Sequence, residues 1–250
     1  MRACVTLIRR ELASYFFSMT GYAVIAAATF LVGLSFVVLL AQLQATATPM
    51  PITQIFFSTA YFWIILLVAA PVITMRLFAL EKFSGTFETL MTTPVSDLQV
   101  VLAKFFSAMI FYLLLWLPLL VCILILHRFT NDPKALDTGM VGSTYLGIAL
   151  VGALFMAMGC FASSLTRSQI IAAMLSFAAG ISLFLLSFLG EQFTPNSTWQ
   201  MSLLSYVTMF EHMRDFARGV VDTRTVAFYL TFTSFFLFLT LRVVESRRWK

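Results

Sequence analysis

Residues 75–104 read MRLFALEKFSGTFETLMTTPVSDLQVVLAK, a polar interval between two apolar runs. The interval holds Arg76, Glu81, Lys82, Glu88, Asp97 and Lys104, whereas the flanking runs carry almost no charge. Gly85 permits an abrupt change of direction, and Pro94 drives Thr93 towards an extended backbone. Ser96, with Gln99 three residues on, has the pattern of a capping box that opens a helix into the next apolar run. Residues 86–91 are left as a short helix bounded on both sides. Glu81 is expected to pair locally with Arg76 or Lys82.

The runs on either side set the solvent of the chain. Of the 250 residues, 60% are hydrophobic and only 11% charged, against about 25% charged in a soluble domain. Lipid must therefore surround most of the length, and the fold class is an all-α integral membrane protein in one domain, 1–250. Six spans are expected at 22–43, 55–78, 100–126, 141–165, 170–189 and 226–243, with the polar interval forming a loop over 79–99. Pro71 should kink the second span. The short link at 166–169 makes the fourth and fifth spans an antiparallel pair. Ala149, Ala153 and Ala157 recur every four residues in one, and Ala172, Ser176 and Gly180 in the other. Such rows let helix backbones approach closely in lipid.

Two amphipathic helices flank the spans. Over residues 5–17, Val5, Ile8, Leu12, Tyr15 and Phe16 share a face, with Arg10, Glu11 and Ser14 opposite and Arg9 on the flank. The expectation is an interfacial helix with its basic side towards lipid headgroups. A leader this long and charged, followed by so long an apolar run, is not expected to be a cleaved signal peptide. Before the last span, Tyr206, Met209, Phe210, Met213, Phe216, Ala217 and Val220 share a second apolar face; Glu211, His212, Arg214, Asp215 and Arg218 lie opposite. Gly219 is placed to end that helix, and Asp222 or Thr223 to cap the span after it.

Charge orients the bundle. With the N-terminus inside, 11 Lys and Arg fall in inner segments and 5 in outer ones, making up the 16 in the chain. Both termini and the 79–99 loop are thus expected in the cytoplasm, and the helix around Phe210 outside.

Catalytic and nucleotide motifs are missing from the sequence. It contains no G-x-x-x-x-G-K-[ST], H-E-x-x-H or G-x-S-x-G. His127 and His212 lie in different outer segments, and Cys4, Cys122 and Cys160 are too scattered for a metal site. No basic run interleaves with aromatics as a nucleic-acid surface would. No charge sits centrally in a span, so a proton relay or ion-coupled carrier has no machinery. What is left is a permease powered by another chain or, alternatively, a membrane-embedded scaffold of a secretion or motility machine.

The interval resembles the type-2 permease family of ABC transporters, in particular the branch that includes gliding-motility permeases. The matching residues are Arg76, Glu81, Lys82, Gly85, Thr86, Glu88, Leu90, Thr92, Pro94, Val95, Ser96 and Lys104; Thr89 departs, standing where a leucine-like residue is expected. A second match runs through Gly159, Ser163, Ser164, Leu165, Thr166, Ser168, Gln169, Ala172 and Ala173. A third takes in Phe210, Phe216, Arg218, Gly219, Val220, Val221 and Asp222. The resemblance implies a multi-pass permease of the bacterial inner membrane, an exporter, paired with a second permease copy or a related permease and embedded among membrane lipids. It implies a separate ATPase that binds ATP and Mg²⁺, this chain holding no cofactor or metal of its own. Coupling to that ATPase falls to Glu81, Gly85, Thr86, Glu88, Pro94 and Ser96, with Glu88 as the polar contact and Gly85 and Pro94 setting the shape of the loop.

Overall fold

A computed structural model describes residues 2–45, 57, 60–87, 95–129, 138–192 and 206–246. Among the described residues there are no strands, and the helices are α1 (Arg2–Phe16), α2 (Met19–Ala45), α3 (Ala60–Thr74), α4 (Ala79–Ser84), α5 (Asp97–Leu115), α6 (Leu117–Phe129), α7 (Thr138–Leu165), α8 (Gln169–Gln192), α9 (Met209–Ala217) and α10 (Thr223–Ser246). Six stretches are long and apolar enough to cross a membrane, with α3 and α4 forming one and α5 and α6 another. The chain is a multi-pass, all-α membrane protein.

The two composite spans break for identifiable reasons. Pro71 has no N–H to offer the Leu67 carbonyl, yet α3 runs on through it to Thr74, and Met75 N–H donates to the Pro71 carbonyl at 2.9 Å. The helix instead gives way one turn later, over residues 75–78, and resumes as α4. The second span therefore reaches Ser84, beyond the boundary at Phe78 read from the sequence. In the third span Pro118 has no N–H to offer the Leu114 carbonyl. Trp116 N–H donates to Leu113 and Leu114 in its place, and Tyr145 Oη donates to Trp116 O at 2.9 Å.

The bundle is built around α7, which packs on α3, α5, α8, α9 and α10. In lipid the hydrophobic effect does not drive helices together, so close van der Waals contact must. On α8 the expected row does face inward: Ala172, Ser176 and Gly180 are buried, while Ile170, Met174, Phe177 and Leu185 on other faces are exposed. On α7 the outcome differs. Ala157 is buried but Ala149 and Ala153 are only half-buried, and the closest approaches are made at glycines. A methyl group at Gly147 would overlap the Phe216 ring, one at Gly152 the Tyr112 ring, and one at Gly159 the Thr74 side chain.

The helices α1 and α9 cap opposite ends of this bundle. At the α1 end α3 finishes, α5 begins and the α7–α8 turn lies; at the α9 end α3 begins and α8 finishes. A methyl added at Gly152 should cost about 1–3 kcal/mol by overpacking. Gly152→Ala is expected to lower the thermal unfolding midpoint in detergent, and Gly142→Ala, whose new methyl meets nothing within 4 Å, to leave it unlowered or slightly raised.

Candidate functional site: the charged elbow

The elbow between the second and third spans is fastened by charge. Lys104, two turns into α5, is only 2% exposed. Its Nζ lies 2.9 Å from Glu81 Oε2 on α4 and 3.2 Å from Glu11 Oε1 on α1. Arg10 Nη2 closes the figure at 2.7 Å from Glu11 Oε1 and 3.0 Å from Glu81 Oε1. Glu81 Oε2 faces Lys104 off the axis of a hydrogen bond, so that contact is a charge pair, whereas Lys104 donates properly to Glu11. The Phe78 ring lies 5.3 Å from the same ammonium. Two cations and two carboxylates thus sum to zero in one cluster, which is the condition for keeping a lysine out of water: the desolvation cost is several kcal/mol per ion when unmatched.

This arrangement corrects two expectations. Glu81 pairs with residues on α1 and α5 and not with Arg76, because the turn at residues 75–78 separates the two along the axis; Arg76 reaches the Ser18 and Thr20 hydroxyls at the α1–α2 junction instead. Glu11 is turned inward against Lys104, not outward to headgroups, while Val5 is 64% exposed and Arg9 and Arg10 keep their exposed positions. Leu7, Leu12, Tyr15 and Phe16 form the packed side of α1. Tyr15 stacks on Phe111 at 4.7 Å and donates to the Ile73 carbonyl at 3.0 Å.

The backbone of the elbow is held from α7. The N-cap Phe78 of α4 has no side chain able to satisfy the first-turn N–H groups. Ser163 does so from across the bundle: its Oγ accepts from Phe78 N and Ala79 N at 3.1 Å each and donates to Met75 O at 3.2 Å. One hydroxyl uses both lone pairs and its proton there. Lys82 Nζ donates to the neighbouring Ser164 carbonyl and sits 5.4 Å from the Phe87 ring.

Gly85 ends α4 in the left-handed region at φ 75°. Around it Phe83, Ser84, Gly85 and Thr86 are exposed, forming the tip of the elbow. Beside the tip, Phe83, Arg167, Ser168, Gln169 and Ile170 line a cleft of about 460 Å³. Ser96 caps α5 as a reciprocal box with Gln99, both bonds at 3.3 Å. Glu88, Pro94 and most of the expected 86–91 helix lie outside the described residues, although Thr86 and Phe87 are helical.

At the far end, Phe210 packs on Trp63 (4.6 Å) and Phe184 (5.2 Å), and Phe216 is buried against Gly147. Ser143 Oγ donates to Phe216 O at 2.7 Å. Gly219 follows the helix at φ 87°, and Asp222 Oδ1 accepts from Arg224 N at 2.9 Å, as expected of a stop and a cap. Arg218 is exposed. Tyr206 and Val220, expected on the apolar face, are exposed because they fall beyond the ends of α9. His212 is half-buried: it lies 3.3 Å from Tyr229 Oη and against Phe228, and burial lowers its pKa despite Asp215 and Asp222 nearby.

Among the described residues no group of His, Cys, Asp or Glu could hold a metal. Glu11, Lys104 and Ser163 were not singled out as partners from sequence. The available signal for the first two was a lone lysine inside the apolar run of the third span and a lone acid among the arginines of α1.

Six helices long and apolar enough to cross a membrane and a polar elbow fixed to the bundle define an α-helical membrane protein with one exposed elbow tip. Residues 36–211 match the family described as ABC-2 family transporter protein, and the chain belongs to that family. It is a membrane permease of the ABC transporter type, which favours transport over the scaffold reading. No curated protein matches the sequence. The matched residues include Glu81, Lys104 and Ser163 but not α1.

The charge ring predicts a specific pattern of stability. Lys104→Met leaves two carboxylates facing Arg10 alone and should cost about 3–5 kcal/mol. Adding Glu81→Gln restores neutrality and should recover most of the loss in detergent unfolding measurements. The ring should also respond to acid. Burial tends to raise the Glu11 pKa, but Lys104 and Arg10 outweigh it and hold the carboxyl below its ordinary 4.5. Its contribution is therefore complete above that value and lost as pH falls through the lowered pKa; α1 should lose amide protection only on acidification below 4.5 and not between pH 6 and 8.

Proposed function

We propose that the elbow tip is the docking surface for a separate ABC ATPase and that the permease exports its cargo as a dimer of two permease chains. On this reading both termini and the elbow face the cytoplasm of a bacterial inner membrane, and ATP and Mg²⁺ are bound by the partner. The observation that carries the reading is an exposed tip on an immobilised base. Phe83 is 77% exposed in the last turn of the second span, next to Gly85 and Thr86. The helix that bears it is tied by Glu81 to α1 and α5, and by Ser163 to α7. A push on the tip is then delivered to three helices as a rigid displacement and is not absorbed locally. Glu81 and Ser96 contribute by shaping the elbow, Gly85 by turning it, and Glu88 and Pro94 by forming the segment that follows. The helix α1 lies at the membrane interface with Arg9 towards headgroups, while Arg10 at the same surface is held by Glu11 and Glu81.

Family membership supports an ABC partner, and the cleft beside Arg167 gives the ATPase a concave feature adjoining the tip. The spans hold Ser, Thr and aromatic residues, which suits a lipid-like or hydrophobic cargo better than an ion.

Glu88→Arg combined with Phe83→Asp should sharply reduce copurification of the ATPase while the permease still inserts and elutes as a folded species. Retention of the ATPase by that variant, and by one lacking residues 86–91, would overturn the docking assignment.

A further inference from the structure

We infer that Arg76, with Ser18 and Thr20, forms the headgroup site of an anionic phospholipid whose acyl chain lies in the groove between α2 and α3. The groove has a volume of about 260 Å³ and is walled by Ala23, Ala27 and Leu31 of α2 and by Ile65, Val68 and Val72 of α3. Thr20, at the elbow end, is its one polar lining residue among the described residues. Ala23, Ala27 and Val68 are exposed, so the groove opens sideways out of the bundle.

The groove's length suits a lipid tail. From Thr20 to Leu31 the helix rises about 16 Å, against about 15 Å for the hydrocarbon of one leaflet. The groove thus runs from a membrane face to the midplane.

Charge at its mouth selects the headgroup. Arg10 and Lys104 are each matched by carboxylates, whereas among the described residues Arg76 contacts the Ser18 and Thr20 hydroxyls and forms no ion pair. The two hydroxyls lie 2.6 Å apart and share a hydrogen bond. Arg76 is half-buried, so its remaining N–H groups are directed and partly desolvated. A guanidinium in that state recognises a phosphate through paired N–H donors. The site requires only that the elbow lies at a membrane face, and it is independent of ATPase docking.

The test uses the permease alone in nanodiscs of mixed phosphatidylglycerol and phosphatidylcholine, with co-bound lipid read by native mass spectrometry after release. The wild-type chain should enrich phosphatidylglycerol. Arg76→Gln should reduce that enrichment about fivefold, the size expected for one basic residue near an anionic lipid surface. Arg76→Lys should largely retain it, and Ala27→Phe, which fills the groove on its open side, should reduce retention of both lipids. Inorganic phosphate should not displace the lipid.

Unchanged enrichment in Arg76→Gln overturns the headgroup site. Should that variant prove unstable, Ala27→Phe decides: undiminished retention there overturns the groove. Cross-linking between two chains carrying Val68→Cys would show a second copy in place of lipid and overturn the inference. Displacement by inorganic phosphate together with an inert Ala27→Phe would do the same, leaving an anion site without a tail.

Discussion

A lysine ammonium withdrawn from water at the base of an apolar helix must meet opposite charge or lose its own. Lys104 meets Glu11 and Glu81, and Arg10 balances the second carboxylate. An exposed ion pair contributes at most about 1 kcal/mol, but removal of one member of a buried set leaves its partners stranded at several times that cost. The ring therefore acts as a geometric requirement more than as a source of net stability. It can be satisfied only when α1, α4 and α5 are all in place, and the position of the elbow follows from that.

The second requirement is set by the backbone. Away from water, each free N–H or C=O costs several kcal/mol, so a broken span survives only where another group completes its hydrogen bonds. The break at residues 75–78 is completed by one hydroxyl, that of Ser163, from the end of α7. The elbow is thus a helix interrupted on purpose and repaired from outside. Charge fixes one side of it and a hydroxyl the other, and the exposed tip at Phe83 to Thr86 projects from between them.

What was legible in the sequence was local. The capping box at Ser96 and Gln99, the turns at Gly85 and Gly219 and the cap at Asp222 depend on neighbours a few residues away, and all are present. The six apolar runs were equally plain, because a span must be long and apolar whatever it packs against. The pairing of Glu81 was misread because its partners lie on α1 and α5, distant in sequence, while Arg76 and Lys82 were merely near in sequence. The row Ala149, Ala153, Ala157 overstated one face of α7 for a related reason. A helix apolar all round gives no periodic sign of which side faces protein, so alanine spacing pointed near the interface, while Gly147, Gly152 and Gly159 mark where it is tightest. Glu88 and Pro94 fall outside the described residues.

The central place of α7 bears on how the chain is made. It is the most buried of the six candidate spans, it carries Ser143, Thr144, Ser163 and Ser164 in buried positions, and its most extensive interface is with α10, the last helix of the series. During synthesis α7 enters the bilayer before α8, α9 and α10 exist to cover it. Its glycine-lined sides and hydroxyls must wait against lipid or against the insertion machinery until α10 arrives. The support of the elbow is thus complete only once α10 has packed on α7, and a truncation that removes α10 but spares the whole elbow would still leave that support uncovered.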